Sequence, residues 1–289
     1  GGSVSATVRT KIKKSHTETT SENVNKFNVG SIKIKSRSGN IELNGVDIKA
    51  KDVELDSAKD INIRSAKETL LTTTEEQNHN LNAGVNAGVS ALGSGVGVEV
   101  GYNGDITQVN TEETRHTQSN IKGDNIVIKA KRNDLLKGGE VRGKDVELDV
   151  EGDVSVVTVQ DTKKETEIRA NWGGTVGANV NSNTLVAPTI SAEAGGGKAW
   201  DNSAKTVKQS GIVATEKLKA DIKGDLTLAG AQIIATEGEV NIGGDVSVTE
   251  VKDHQDKDGN FGGGGGGWSK NGAPVVNVNY EKVDRVEYE

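Results

Sequence analysis

The chain has 289 residues, of which 37 are Gly and only 2 are Phe, 3 Tyr and 3 Trp, and its apolar content of 33% argues against an ordinary compact core. The net charge of −7 comes from mixed Lys, Asp and Glu without a basic patch, which argues against nucleic-acid binding. The absence of Cys excludes disulfides, zinc–thiolate sites and thiol nucleophiles. The sequence contains no run of 18 apolar residues, so we predict no transmembrane helix. Because the sequence also lacks Met, we expect it to be a piece of a longer protein.

The first element is a polar segment, residues 1–30, which we interpret as the tail of a preceding repeat. A block of short apolar pairs follows, and period-two alternation of this kind is typical of β-strands. Asn, Gly and Asp between the pairs predict turns. The pairs are Ile32/Ile34, Ile41/Leu43, Val46/Ile48, Val53/Leu55 and Ile61/Ile63.

The next element is a Gly-rich segment that starts at Asn80 and continues into a Thr- and Glu-rich one. It still alternates, so we predict a long β-hairpin with a tight turn at Asn103-Gly104. Related segments start at Asn171 and Lys257, the last with a turn at Asn271-Gly272.

Three interpretations of these excursions stay open. They are exposed hairpins packed along the side of the strand block, membrane-spanning strands, or flexible linkers. Small apolar residues that alternate with Asn, Gly and Ser favour membrane-spanning strands, but aromatic residues are missing at both ends of the segments.

The block and the excursion recur along the chain, 92 or 93 residues apart. KDVELD stands at 51–56 and again at 144–149, and GDVSV stands at 152–156 and again at 244–248. The sequence therefore predicts about three units in one elongated domain, 1–289. After the tail at 1–30, the units are 31–118, 119–210 and 211–289.

Within each block the pairs recur every 20 or 21 residues, as from Ile41 to Ile61 and from Ile126 to Val146. Each turn of such a chain can bury its Val and Ile side chains only by stacking on the next. We therefore predict an all-β fold: a right-handed parallel β-helix of about 20 residues per coil, with Gly-rich β-hairpins outside the helix. Small β-branched residues suit its narrow interior, which explains the missing aromatics.

Chemistry-bearing residues do not cluster in the sequence. Histidine occurs at His16, His79, His116 and His254. All four lie in polar segments. Three of them lie in comparable segments of the repeat, which indicates that they recur with the repeat and do not form a site. Asp256-x-Asp258-Gly259 resembles the start of a calcium loop, but loop positions 6 and 12 would be Phe261 and Gly267, so we interpret it as a polar hairpin turn. We predict no catalytic, cofactor-binding or metal-binding residues and no cofactor.

The pattern Gly-Asp/Asn followed by alternating Ile, Val or Leu, interrupted by Gly-rich and then Thr/Ser-rich excursions, resembles the haemagglutinin repeats of bacterial two-partner-secreted exoproteins. More narrowly, the alternation of block and excursion is similar to the second filamentous-haemagglutinin repeat region of contact-dependent growth inhibition proteins. The resemblance covers essentially the whole chain and depends on pattern more than on any invariant motif.

This resemblance implies a non-catalytic segment of a secreted filament at the bacterial surface, exported through a partner transporter in the outer membrane. It also implies contact with a target cell's outer membrane and a part in toxin delivery, with no nucleic-acid or small-molecule partner. One alternative is an adhesin like filamentous haemagglutinin that binds a host or bacterial surface. A carbohydrate-active β-helix enzyme is disfavoured, because Trp172, Trp200 and Trp268 all lie in the excursions.

Overall fold

A computed structural model describes residues 2–90, 93–182, 184–269 and 273–288. Every regular element in these ranges is a β-strand, and the described residues contain no helix that could span a membrane. The fold is therefore all-β, as the alternating apolar pairs predicted.

Short strands and long strands alternate along the chain. Up to residue 117 the strands are β1 (Gly2–Ser21), β2 (Asn25–Asn28), β3 (Ser31–Ser36), β4 (Ile41–Asn44), β5 (Val46–Lys49), β6 (Asp52–Ser57), β7 (Ile61–Arg64), β8 (Ala66–Ser90) and β9 (Gly93–Thr117). Up to residue 205 they are β10 (Ser119–Lys122), β11 (Asn125–Ala130), β12 (Asp134–Lys137), β13 (Gly139–Val150), β14 (Val154–Val157), β15 (Asp161–Asn181) and β16 (Thr184–Lys205). The remainder are β17 (Gly211–Ile222), β18 (Leu226–Ala229), β19 (Gln232–Ile242), β20 (Val246–Thr249), β21 (His254–Ser269) and β22 (Val275–Tyr288).

The short strands form coils that stack on one another through parallel pairing. Each coil contributes three strand segments, and each segment pairs with the matching segment of the next coil. Six coils lie in the described chain, which at about 4.8 Å per coil make a stack about 24 Å high. They cover residues 25–44, 46–64, 119–137, 139–157, 211–229 and 232–249. This arrangement is consistent with a β-helix.

The predicted apolar pairs occupy matching positions in these coils. Ile32 pairs with Val53, Val53 with Ile126, and Ile126 with Val146. The two KDVELD stretches lie on either side of β11, so one strand separates the repeated sequence from its copy. The buried cluster consists of Ile, Val, Leu and Ala, which explains how the chain builds a core almost without aromatic residues.

An Asn or Asp side chain at one corner of each coil holds the coils in register. The side-chain oxygen of Asn133 accepts a hydrogen bond from the backbone N–H of Asp153 at 2.9 Å, and the Asp153 carboxylate accepts one from the N–H of Asp225 at 2.9 Å. Asn40, Asp60 and Asp225 continue the same ladder. The Gly-Asp/Asn motif of the sequence is therefore a hydrogen-bonded corner that precedes an inward-facing strand.

The long strands pair with one another into a second structure, which we call the hairpin sheet. It is an antiparallel seven-stranded sheet in the order β1-β8-β9-β15-β16-β21-β22. Its hairpins start earlier than predicted, at Ala66, Asp161 and His254. The sequence concealed these starts because the stretch 67–77 is polar except for Leu70 and Leu71 and is held by backbone pairing with both β1 and β9.

The predicted turn at Asn103-Gly104 is wrong, because both residues lie inside β9 and pair on both sides. Gly104 is needed there for space: a Cβ at this position would lie 2.8 Å from the indole of Trp172. The predicted turn at Asn271-Gly272 lies outside the described residues.

Candidate functional site in the hairpin sheet

The two faces of the hairpin sheet differ in chemistry over the half that lies away from the coils. Residues that share a row of the register share a face, because side chains alternate along each strand. One row joins Ala6, Ala83, Val100, Val176, Ile190 and Trp268. The next row toward the hairpin ends joins Val4, Val85, Val98, Ala178 and Pro188. We call this side the apolar face.

The apolar face is exposed to solvent. Val98 and Val100 at the centre of the sheet are 51% and 53% exposed, and Val176 on the next strand is 62% exposed. Exposure continues to both edge strands, at Val4 and Val278. An exposed apolar surface that continues across the strands of a sheet marks an interaction site.

The opposite side, which we call the polar face, carries amides, hydroxyls and glycines. Thr175 and Ser191 are hydrogen-bonded across β15 and β16 at 2.6 Å, and Asn80 and Asn82 stand on β8. A groove of about 590 Å³ on this side is lined by residues of all seven strands. The sheet is therefore curved, with the polar face inside and the apolar face outside.

The pairing and the exposure of the long strands decide between the predicted arrangements of the excursions. The hairpins pair with one another and leave their apolar face uncovered, so the prediction that they pack along the side of the coils is wrong. The extended pairing also rules out flexible linkers for the described strands.

Three aromatic rings from three strands meet on the apolar face. His79 Nδ1 lies 2.7 Å from the Tyr102 hydroxyl, and the two rings stack with centroids 6.1 Å apart. The Trp172 ring lies 6.3 Å from that of His79. Sequence analysis missed this cluster because the three residues belong to β8, β9 and β15, whose pairing a single sequence does not give.

The other three histidines lie apart from this cluster and from one another. His16 is exposed beside Glu18, and His254 begins β21. His116 lies at the base of the hairpin sheet, with Nδ1 3.0 Å from the Ser65 hydroxyl, and burial lowers the pKa of its imidazole. Among the residues that the structure describes, no group of three or more His, Asp or Glu could hold a metal ion.

The stretch Asp256-x-Asp258-Gly259 is a continuous part of β21, so its interpretation as a hairpin turn is wrong. Asp256, Asp258 and Gly259 pair with β16 in an unbroken register. The extended backbone therefore forms no loop that could surround a calcium ion.

Comparison with known proteins places most of the chain in one family. The family described as "Hemagglutinin repeat" matches residues 5–174 and 167–264. Filamentous hemagglutinin of Bordetella pertussis is 32% identical in an alignment 296 residues long, which covers 99% of this chain and 8% of that protein.

Two further relatives are more distant. The protein adenylyltransferase and cysteine protease IbpA of Histophilus somni is 25% identical over 90% of this chain and 6% of its own length. Hemolysin of Proteus mirabilis is 30% identical over 41% of this chain and 8% of its own length. The chain thus spans less than a tenth of each relative, and no solved structure matches it.

These matches confirm the resemblance to filamentous haemagglutinin repeats, and the repeat family is structural. Proteins with these repeats are secreted, surface-exposed and exported across the outer membrane, which confirms the predicted location. The narrower likeness to contact-dependent growth inhibition proteins stays a prediction.

Proposed function

The chain belongs to the haemagglutinin-repeat family, and from this premise we propose that it is a non-catalytic segment of a secreted filament that contacts the outer membrane of a target cell. In this proposal the coils are the filament and the hairpin sheet is the contacting element. The full-length protein would carry a toxin elsewhere and would leave its own cell through an outer-membrane transporter.

The observation that carries the proposal is the exposed apolar face. A filament segment needs only its coils, because the buried aliphatic core consists of coil residues alone. The apolar face adds nothing to that core, and its valines are about half exposed or more. Lipid is a partner that covers a broad apolar surface without a complementary shape.

The coil itself is proposed to be a right-handed parallel β-helix. Support comes from the parallel register between coils and from the strong preference for right-handed crossovers between parallel strands of one sheet. Division into about three units is supported by three glycines with positive φ at matching corners, Gly45, Gly138 and Gly230.

Membrane contact is tested by flotation of the chain with vesicles of phosphatidylethanolamine and lipopolysaccharide. The wild-type chain is expected to float with the vesicles. The double variant V85E/V176E should lose at least tenfold in binding, because it places two carboxylates on the apolar face, where each opposes transfer into hydrocarbon by about 1–3 kcal/mol.

The matched control is N86E/T175E. It adds the same two charges to the neighbouring residues of the same strands, on the polar face. This control should float like the wild type. Equal flotation of both double variants, or no flotation of the wild type, would overturn the membrane proposal.

The second candidate is an adhesin segment, favoured by the 32% identity to filamentous hemagglutinin over 99% of this chain. The two differ in what the filament delivers. A toxin domain in the full-length gene supports delivery, whereas its absence together with binding to intact cells but not to vesicles supports adhesion alone.

A further inference from the structure

The hairpin sheet carries its apolar residues within a band of defined height. On the apolar face of β9 the band runs from Val96 to Ile106, eleven positions that span about 34 Å in an extended strand. Membrane-spanning strands have 9–11 residues at a tilt of about 45°. A strand with this band is therefore long enough to place its far end deep in a lipid hydrocarbon layer.

Charge is absent from the band and begins sharply at its border. Among the described residues of these rows, no Asp, Glu, Lys or Arg lies on the apolar face of any of the seven strands. The row at Gln108, next toward the coils, introduces Lys14, Glu75 and Lys198 together. A charged belt thus separates the band from the coils.

The aromatic cluster occupies the second and third rows inside this border, and the row of Ile106 separates it from the charged belt. Tyr102 lies in one row and His79 and Trp172 in the next, and each ring has polar atoms beside apolar carbon. Rings of this kind concentrate at the level of lipid headgroups. At the other end of the band, the row of Val96 contains Ala87 and Val180 and no aromatic side chain.

We propose that the hairpin sheet enters a lipid bilayer with the hairpin ends first and stops where the aromatic cluster reaches the headgroups, so that the charged belt and the coils stay in water. This inference rests on the proposed membrane contact and adds its direction, its depth and the residues that set the depth. The polar face stays away from the acyl chains, because its amides and hydroxyls would lose their water there.

Three tryptophans on the apolar face provide a built-in depth scale. Through the register, Trp268 lies in the row of Val100, Trp172 in the row of Gly104 and Trp200 in the row of Asn110. Along the strands Trp268 is about 14 Å deeper than Trp172, and Trp200 is about 20 Å shallower. Trp268 and Trp172 lie two strands apart, which is about 10 Å across the sheet. Trp268 therefore stays deeper than Trp172 when the strands tilt by up to about 45° from the bilayer normal.

The experiment uses three variants of the full chain, each with one tryptophan and Phe at the other two positions. Each is bound to vesicles of phosphatidylethanolamine and phosphatidylglycerol that carry a nitroxide quencher either at the headgroup or deep in the acyl chain. We expect the deep quencher to act most on Trp268 and the headgroup quencher most on Trp172. Trp200 should keep at least about nine-tenths of its fluorescence with either quencher.

A second measurement avoids any change to the aromatic residues. The chain has no Cys, so V98C and N110C each accept a single environment-sensitive dye. The dye at position 98 should shift to the blue and brighten several-fold with vesicles, and the dye at position 110 should not.

The outcomes separate the two proposals. Binding to vesicles with equal quenching of all three tryptophans, or with Trp200 quenched most, overturns the depth and direction but leaves membrane contact in place. No binding of the wild-type chain overturns both. The graded order Trp268, Trp172, Trp200, with dyes at 98 and 110 in agreement, supports the proposed insertion.

Discussion

Asp134 is a carboxylate inside an aliphatic ladder. It pairs with Ile61 on one side and Val154 on the other, is only 4% exposed, and its Oδ1 has no hydrogen-bond partner. Burial alone raises the pKa of this carboxyl from its ordinary 3.8 to about 7. The other coils carry aliphatic residues at this position. The buried aspartate therefore lowers the stability of the fold, whereas the aliphatic residues beside it do not.

The pH dependence of this cost has a definite sign. In the unfolded chain the carboxyl ionises near pH 4, whereas in the folded chain it ionises at about pH 7. Between these values only the folded protein holds the proton, so stability falls as pH rises from about 4 to 7 and stays low above. Asp134→Val should therefore raise the free energy of unfolding at both pH 4 and pH 8.

The gain at pH 8 should exceed that at pH 4 by up to about 4 kcal/mol, which corresponds to a pKa difference of about 3. Chemical denaturation of both proteins at the two pH values measures it. All other titrating groups are shared, so the difference between the proteins isolates residue 134. A gain that is equal at both pH values, or a loss at pH 8, would show that Asp134 has a partner in the folded state.

At the scale of elements, three glycines shape the corners where one coil passes to the next. Gly45, Gly138 and Gly230 have φ angles of 58°, 69° and 56°. A Cβ on Gly138 would lie 2.7 Å from both the Ser65 hydroxyl and a methyl of Val159, at the start of the following hairpin. The glycine thus serves the turn and makes room for the hairpin to leave the coil.

Gly138→Ala should lower the free energy of unfolding by about 1–3 kcal/mol, since it combines a left-handed backbone with a steric clash. Gly30→Ala is the matched control, because nothing lies within 4 Å of its Cβ and its φ is not positive. The control should change stability by less than about 0.5 kcal/mol. Urea denaturation compares the two, and an equal effect would refute a special role for the corner.

The elements also show where sequence was sufficient. Pairs such as Val53/Leu55 and Val154/Val156 reveal their strands because each buried residue must alternate with an exposed one. The hairpin starts were missed because Thr72 or Glu75 is held by backbone pairing on both sides, which has no apolar signal. The prediction of a turn at Asn103-Gly104 was wrong because Asn-Gly forms a turn only where the local sequence determines the backbone conformation. Here the glycine is required by the neighbouring ring of Trp172.

The candidate site shows the same division at a longer range. Alternation of Leu81, Ala83 and Val85 was visible in the sequence and indicated one apolar strand face. Seven strands in one sheet, its curvature and the meeting of His79 with Trp172 depend on pairing between residues up to about ninety positions apart. Only the structure supplies that pairing.

At the scale of the whole molecule, the chain combines coils that bury their apolar side chains with a hairpin sheet that exposes one apolar face to water. The coils bury an aliphatic core, in which Ile48 and Leu55 are fully enclosed. The hairpin sheet has a single layer, and its outer valines have no second sheet to cover them. A single layer with one apolar face is incomplete in water, since such a surface is normally covered by another layer.

Without lipid, the apolar faces of two chains are therefore expected to cover each other. The wild-type chain should sediment as a dimer or larger species at micromolar concentration and as a monomer once a mild nonionic detergent covers the face. V85E/V176E should be monomeric without detergent, because charge repulsion and the cost of burying carboxylates oppose the contact. The control N86E/T175E should associate as the wild type does. A wild-type chain that is monomeric in buffer without detergent would contradict the prediction, because its apolar face would then be stable in contact with water. The pairing of coil ends predicts the opposite pattern, since both double variants would then associate equally and detergent would have little effect.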